Sequence, residues 1–251
     1  TSRGLGDVYK RQGQLGGTAV PEIGEVTDYI RVLDRSGYFE TVTLSEDDLK
    51  RNDMYRANAQ RAKAQSRFAD YHDYLLSLEM TAEIGDFSPL YLQRITQLTN
   101  KSNQFNLTTK RYTAEQMEAV YNSDEYIRLY GKLYDKFGDN GVVAVTIGKI
   151  DSEDKGRLDI ELWLMSCRVL KRDMELAMLD SLVAQAKKRG IREIYGHYYP
   201  TAKNKMVAGL YESFGFEKIS QDEDGNTAWR LLVEGYEDKN TVIKVKEEHY
   251  A

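Results

Sequence analysis

The sequence predicts an α/β fold: a mixed sheet flanked by helices and preceded by a helical linker. Three observations carry this. Leu158, Ile160, Leu162 and Leu164 alternate with Asp159, Glu161, Trp163 and Met165, which is the period of a strand with one face buried. Val142-Val143-Ala144-Val145-Thr146-Ile147 is almost wholly apolar, as a central strand covered on both faces must be. From Leu158 onward the order reads strand, basic loop, helix, strand, helix.

Taken in order, Thr1 to about Gln12 lacks an initiator Met and reads as non-native sequence, so it is set aside from fold reasoning. Residues 13–79 form a helical remnant or linker. Val20 to Phe39 gives an entry segment and helix, with Tyr29, Ile30, Leu33 and Phe39 apolar. Ser45 caps a helix start whose acids Asp47 and Asp48 face the dipole, a simpler account than a metal pair. Leu44 to Leu78 then reads as one long, strongly charged helix that packs one edge on its neighbour; its cations are an alternative docking surface for an acidic partner.

Residues 80–236 form the main domain. Met80 to Phe87 is a strand. Ser88 and Pro89 open a helix with Tyr91, Ile95 and Leu98 inward. Thr113-Ala114-Glu115-Gln116 is a capping box. Ile127–Tyr134 and Val142–Ile150 make a hairpin across Phe137-Gly138-Asp139-Asn140-Gly141. A helix runs from about Asp173 to Arg189 with Met178, Leu179, Leu182, Val183 and Ala186 on one stripe, and Gly190 stops it. A short strand surrounds Ile194, and the closing helix carries Val207, Leu210, Tyr211 and Phe214. Glu217–Ser220 and Thr227–Leu232 end the sheet as a hairpin. Residues 237–251 read as a charged, loosely ordered tail.

Composition narrows the function. A net charge of −5 argues against a general nucleic-acid binder. No apolar run approaches the ~20 residues of a membrane helix, and no signal-peptide pattern opens the chain. The single Cys167 excludes an internal disulfide, and together these point to the cytoplasm. No metal site is legible.

The chemistry concentrates around Met165-Ser166-Cys167-Arg168-Val169-Leu170-Lys171-Arg172-Asp173. A loop entering a helix N-terminus presents unpaired N–H groups and the positive end of the dipole, and Arg168, Lys171 and Arg172 add charge, so the loop suits a pyrophosphate. Asn204 and Tyr211 lie seven residues apart, two turns of one helix, and so share a face. Asn103, Gln104, Asn106 and Thr108 offer donors and acceptors that would line a substrate pocket, or else cap helix ends. Glu161, on the polar face of its strand, is a candidate general base. Cys167 reads as a small buried residue, and His197 as filler at the core edge rather than a metal ligand.

At this loop the chain resembles the GNAT acyltransferases, whose phosphate loop reads Gln/Arg-x-x-Gly-x-Gly/Ala. Arg168 fits; Lys171 and Asp173 stand where the glycines would be. The resemblance implies a GNAT-like sheet binding an acyl-CoA or phosphopantetheine thioester along Met165, Cys167, Arg168, Val169, Lys171, Arg172 and Asn204. It also gives Tyr211 the role of protonating the departing thiolate. A closer resemblance, to the FkbH-like proteins, rests on Asn103-Gln104-Phe105-Asn106-Leu107-Thr108-Thr109, Phe137 to Gly141, Ser166-Cys167-Arg168-Val169-Leu170 and Pro200-Thr201-Ala202-Lys203-Asn204. It runs from about Pro21 to Gly235. It implies a missing N-terminal phosphatase domain of the HAD superfamily, an acyl carrier protein as partner, and work in polyketide-type metabolism. The lost glycines leave a second expectation: a GNAT-like module that docks the carrier without catalysis.

Overall fold

A computed structural model describes residues 25–35 and 51–247, in two compact units divided between Asp53 and Met54. In the first unit a short turn at Val26–Asp28 leads into helix α1, Tyr29–Arg35, where Arg31 pairs with Asp28. The stretch from Thr1 to about Gln12 and the Ser45–Asp48 cap lie outside the described residues.

The second unit is a mixed sheet with helices on both faces. Its strands are β1 (Thr81–Asp86), β2 (Phe105–Asn106), β3 (Tyr126–Asp135), β4 (Gly138–Ile150), β5 (Arg157–Met165), β6 (Glu193–Tyr198), β7 (Glu217–Gln221), β8 (Thr227–Leu232) and β9 (Lys244–Glu247). They lie in the order β7-β8-β6-β5-β4-β3-β1-β9, with β2 added to β5. Pairs β5–β6 and β1–β9 are parallel; the others are antiparallel. Helices α2 (Arg51–Gln65, in this unit from Met54 on), α3 (Tyr71–Ser77), α4 (Pro89–Lys101), α5 (Ala114–Tyr121), α6 (Met174–Lys188) and α7 (Leu210–Ser213) complete the unit. One apolar core lies between the sheet and α3, α6 and α7; the other lies between the sheet and α4 and α5.

Several local rules act as the sequence indicates. Pro89 opens α4, the Thr113–Gln116 capping box closes in both directions, and Gly190 ends α6 at φ 71°. Others are overruled. The predicted long helix from Leu44 to Leu78 breaks at Ser66–Asp70 where it is described, because Asp70 caps a new helix by accepting from the Asp73 N–H. The hairpin turns at Lys136-Phe137, ahead of the glycine-rich stretch; Asn140 and Gly141 form an irregularity inside β4. The closing helix splits into a turn at Lys205–Val207 and the four-residue α7, with Gly209 between, so Asn204 and Tyr211 do not share one helix face. Among the described residues, the stretch 239–247 is anchored: Asp180 accepts from the Lys239 and Asn240 N–H groups, and β9 pairs with β1.

A further irregularity decides which side chains face which helices. The β4–β5 register skips Glu161. The alternation therefore changes phase there. Leu158 and Ile160 pack toward α6, but Leu162 and Leu164 pack toward α4 and α5, while Trp163 and Met165 turn to the α6 side.

Candidate functional site

The loop between β5 and α6 begins with Ser166, whose hydroxyl accepts from the Arg168 N–H, and passes through a tight turn at Cys167–Val169. Lys171 and Asp173 then adopt left-handed backbone at φ 63° and 60°, and Met174 starts the helix. A left-handed residue costs a non-glycine side chain roughly 1–2 kcal/mol. These are the two positions at which the glycines of the resembled pattern would fall. The backbone keeps a conformation that glycine supplies freely, and two residues bear strain to hold it. Such turning at a helix start converges N–H groups into an anion-binding hollow.

A cavity of about 600 Å³ opens beside this loop, lined by Asn58, Arg61, Gln65, Tyr71, Tyr74, Arg168, Lys171 and Arg172. Its wall includes α2 and α3, so the stretch that reads as a linker packs against the loop. Arg61 grips Asp135 with two nitrogens at 2.9 Å, Arg172 reaches the same carboxylate at 3.0 Å, and the Tyr71 hydroxyl donates to the Lys171 carbonyl at 2.6 Å. Asp135 also accepts from the Phe137 N–H and is wholly buried. Two guanidiniums around one carboxylate leave a net positive charge in the wall. Burial and the neighbouring Arg61 pull the Arg172 guanidinium below its usual pKa, with Asp135 opposing. The chemistry of the cavity fits a phosphate or pyrophosphate.

The strand edge next to the loop is less open. β5 and β6 pair only from Arg157↔Glu193 to Asp159↔Tyr195 and then part. Phe105–Thr108 fills the gap. Phe105 and Asn106 pair with Met165 and Leu164, the Leu107 N–H donates to the Trp163 carbonyl, the Tyr199 N–H donates to the Leu107 carbonyl, and the Thr108 hydroxyl donates to the Glu161 carbonyl. Asn204 locks this insert. Its amide NH₂ donates to the Asn106 and Tyr199 carbonyls, and its oxygen accepts from Thr201. An extended amide chain such as a pantetheine arm finds that stretch of β5 already paired.

Beneath the parting, on the α6 side, Tyr211 packs flat against β6: a β-carbon on Gly196 would lie 2.3 Å from its ring. Trp163 meets it edge-on. The Trp163 indole N–H is buried without a hydrogen-bond partner, and the Tyr211 hydroxyl, equally buried, meets no other side chain and only the His197 backbone. Burial raises the Tyr211 phenol well above its ordinary pKa, and the His197 backbone offsets only part of this.

On the opposite face the polar side chains form pairs. Glu161 accepts from Lys110 at 2.6 Å and from the Tyr112 hydroxyl at 3.1 Å, at the edge of a cavity of about 410 Å³. Burial, then the Glu161 charge, raise the Tyr112 phenol. Asp159 is held by both Arg157 nitrogens at 2.8 and 2.7 Å and faces the His197 Nε2 at 3.3 Å. Although partial desolvation pulls upward, the bonds from His197 and Arg157 keep the Asp159 carboxyl below its usual pKa.

The residues singled out from sequence thus fall into three places. Arg168, Lys171 and Arg172 line the basic cavity, with Met165 and Val169 buried behind it. Cys167 is exposed, contrary to its reading as a buried strand-end residue, because the turn after Ser166 swings it outward. Asn106, Thr108 and Asn204 are buried and spend their side chains inside the chain, Asn103 accepts from Arg111, and Gln104 is exposed. Glu161 and Tyr211 lie on opposite faces of the sheet. His197 is part-exposed beside Asp159, not core filler, because β6 turns its odd-numbered residues away from α6. Sequence reasoning passes over Arg61, Asp135, Arg157, Asp159 and Lys110. Asp159 and His197 carry a signal: both are polar positions on strands joined by one crossover, and such strands lie side by side.

No family model matches the chain, and no curated protein matches it. Solved structures do. The ribosomal-protein-S18-alanine N-acetyltransferase from Escherichia coli is 14% identical and aligns over 64% of this chain and 99% of its own, with a TM-score of 0.46. An acetyltransferase from Thermus thermophilus is 13% identical over 61% and 97%, TM-score 0.47. A putative acetyltransferase from Salmonella typhimurium, solved with acetyl-CoA, is 14% identical over 63% and 96%, TM-score 0.47. The described residues hold no helix long and apolar enough to cross a membrane and no group of three or more metal-ligating side chains.

Proposed function

We propose that this chain is a GNAT-like acyltransferase acting on a CoA or carrier-protein thioester. The observation that supports it best is the strained loop. Lys171 and Asp173 hold left-handed backbone at the head of α6, beside a cavity walled by Arg61, Arg168 and Arg172. Strain of this kind persists where a site needs it. In this reading the loop N–H groups, Arg168 and Lys171 hold the phosphates, and Arg172 is fixed by Asp135 so that its charge faces them. The thioester supplies an activated acyl carbon. Tyr211, whose buried hydroxyl is bonded to no other side chain, protonates the departing sulfur. The wider setting we propose is an FkbH-like biosynthetic protein of polyketide-type metabolism, with a HAD domain and an acyl carrier protein as partners. In support, two of the stretches that carry that resemblance are one hydrogen-bonded unit, joined by Asn204 to Asn106.

A second reading has its own support. With the β5 edge taken by Phe105–Thr108, the domain would dock the carrier or the phosphate end of its arm without performing transfer. Calorimetric titration with acetyl-CoA, and separately with a holo carrier protein, tests both. Saturable acetyl-CoA binding that weakens at least tenfold in Arg168→Glu/Lys171→Glu supports the transferase. Carrier binding without acetyl-CoA binding replaces it with docking.

A further inference from the structure

The face of the sheet opposite Tyr211 holds a second candidate for the chemistry. His197 sits on β6 two residues past the last β5–β6 pair, where the strands part. Its Nε2 meets Asp159, and Asp159 is clamped from its other side by both Arg157 nitrogens. Asp159 is held ionised, so the imidazole nitrogen facing it must carry the proton, which leaves Nδ1 as the basic nitrogen. The Tyr199 ring lies nearly parallel to the imidazole, at 18° with the centroids 6.3 Å apart. Below, on the other face of the same strand, Tyr211 packs against Gly196. A base and an acid thus approach one short segment of β6 from opposite sides.

Glu161, the base expected from sequence, is poorly placed to act. It already accepts from Lys110 and Tyr112, and a proton taken from substrate would break that ion pair. The other carboxylates carried by the neighbouring strands are also matched; the unmatched acids nearby, Glu223 and Asp224, belong to the β7–β8 turn. Asp159 has Arg157, Glu193 has Arg230 and the Tyr195 hydroxyl, and Glu217 has Arg230. With no strand carboxylate beside His197 left unmatched, the sheet itself offers no pole to draw an ammonium ion. A neutral hydroxyl binds there without that penalty, and a carboxylate-oriented imidazole is the group that activates a hydroxyl near neutral pH.

We infer that His197, oriented by Asp159, is the general base of the transfer, and that the acceptor it serves carries a neutral hydroxyl. The inference rests on the acyl-transfer reading. His197 Nδ1 takes the hydroxyl proton as that oxygen bonds to the thioester carbonyl carbon. The carbon–sulfur bond breaks, an ester forms, and the thiolate takes the Tyr211 phenol proton. Solvent then restores both side chains.

The test uses the full chain with acetyl-CoA, 1-propanol and 1-propylamine as probe acceptors, and thiol release as readout, with folding of each variant checked by circular dichroism. The expected result is thiol release stimulated by propanol with propyl acetate as product, and about a hundredfold loss in His197→Gln with acetyl-CoA binding kept. The chain has three histidines, so nitrogen NMR resolves them. His197 should show the Nε2–H tautomer, and Asp159→Asn should lose it. Wild-type turnover in His197→Gln, or preference for propylamine, overturns the inference and leaves the transferase standing. Acetyl-CoA bound but no thiol released also overturns it, and leaves only donor binding. Neither binding nor release sinks both readings.

Discussion

Asp135 and Asp159 are two carboxylates in the same chemical situation and opposite physical ones. Each sits between two basic side chains, Arg61 and Arg172 for the first, Arg157 and His197 for the second. The Asp135 side chain has no exposure; that of Asp159 keeps 23%. Around Asp135 water is excluded, so the ions are committed to one another and hold α2 and the β5–α6 loop to the sheet. Around Asp159 water competes, the pairing contributes little to stability, and the group is left able to steer a proton. The depth of a charge, more than its partners, separates scaffold from chemistry.

This contrast can be broken most sharply at Asp135. Asp135→Ala strands two buried guanidiniums, so denaturant unfolding should show a loss of about 3–5 kcal/mol. A loss like that of a surface pair would erase the distinction. Glu175, in the first turn of α6, is next. One of its oxygens is buried without a partner, and burial raises its pKa to about 7. Its folded pKa lies above the unfolded value, so stability is full below about pH 4.5 and falls as pH rises toward 7. The drop is at most about 3 kcal/mol, less to the extent that the half-open side chain stays hydrated. Glu175→Gln should flatten that slope in a pH series of unfolding midpoints. Lys171→Gly and Asp173→Gly should each stabilise by about 1 kcal/mol by relieving left-handed strain, read as a rise in thermal midpoint. No rise at either position would mean the loop holds its shape without strain. The smallest effect belongs to Asp159→Asn, under about 1 kcal/mol in stability. Its loss should appear in turnover instead, and a large unfolding effect would make Asp159 scaffold after all.

The fold is legible in the sequence because its signals are local and consistent. The apolar run Val142–Ile147, the capping box at Thr113 and the stop at Gly190 each act within a few residues, and nothing in the tertiary structure opposes them. Most of what stays hidden depends on residues far away in sequence. Leu162 and Leu164 lie on the face opposite to the one their alternation indicates, because the bulge at Glu161 is a property of the β4–β5 register, not of β5 alone. The Ser66–Asp70 break is local, but the long charged run conceals the cap at Asp70. Arg61 looks like one solvated cation among many, since its partner Asp135 is 74 positions away. The β5–α6 loop is legible as a candidate anion site, whereas the insertion of Phe105–Thr108 beside it has no signature in composition or periodicity. The strain at Lys171 and Asp173 is visible only in their dihedral angles.

The pairing of β9 with β1 has a consequence in time. The two strands come from opposite ends of the sheet-forming sequence, with Thr81 opposite Lys244. During synthesis, β1 leaves the ribosome early and can pair with β3, yet its outer edge has no neighbour until residues 244–247 emerge. For that interval the nascent chain carries an open strand with free amides, one able to recruit the same strand of a neighbouring nascent chain. The pairing with β9 therefore closes this edge only at the last step of the sheet's synthesis.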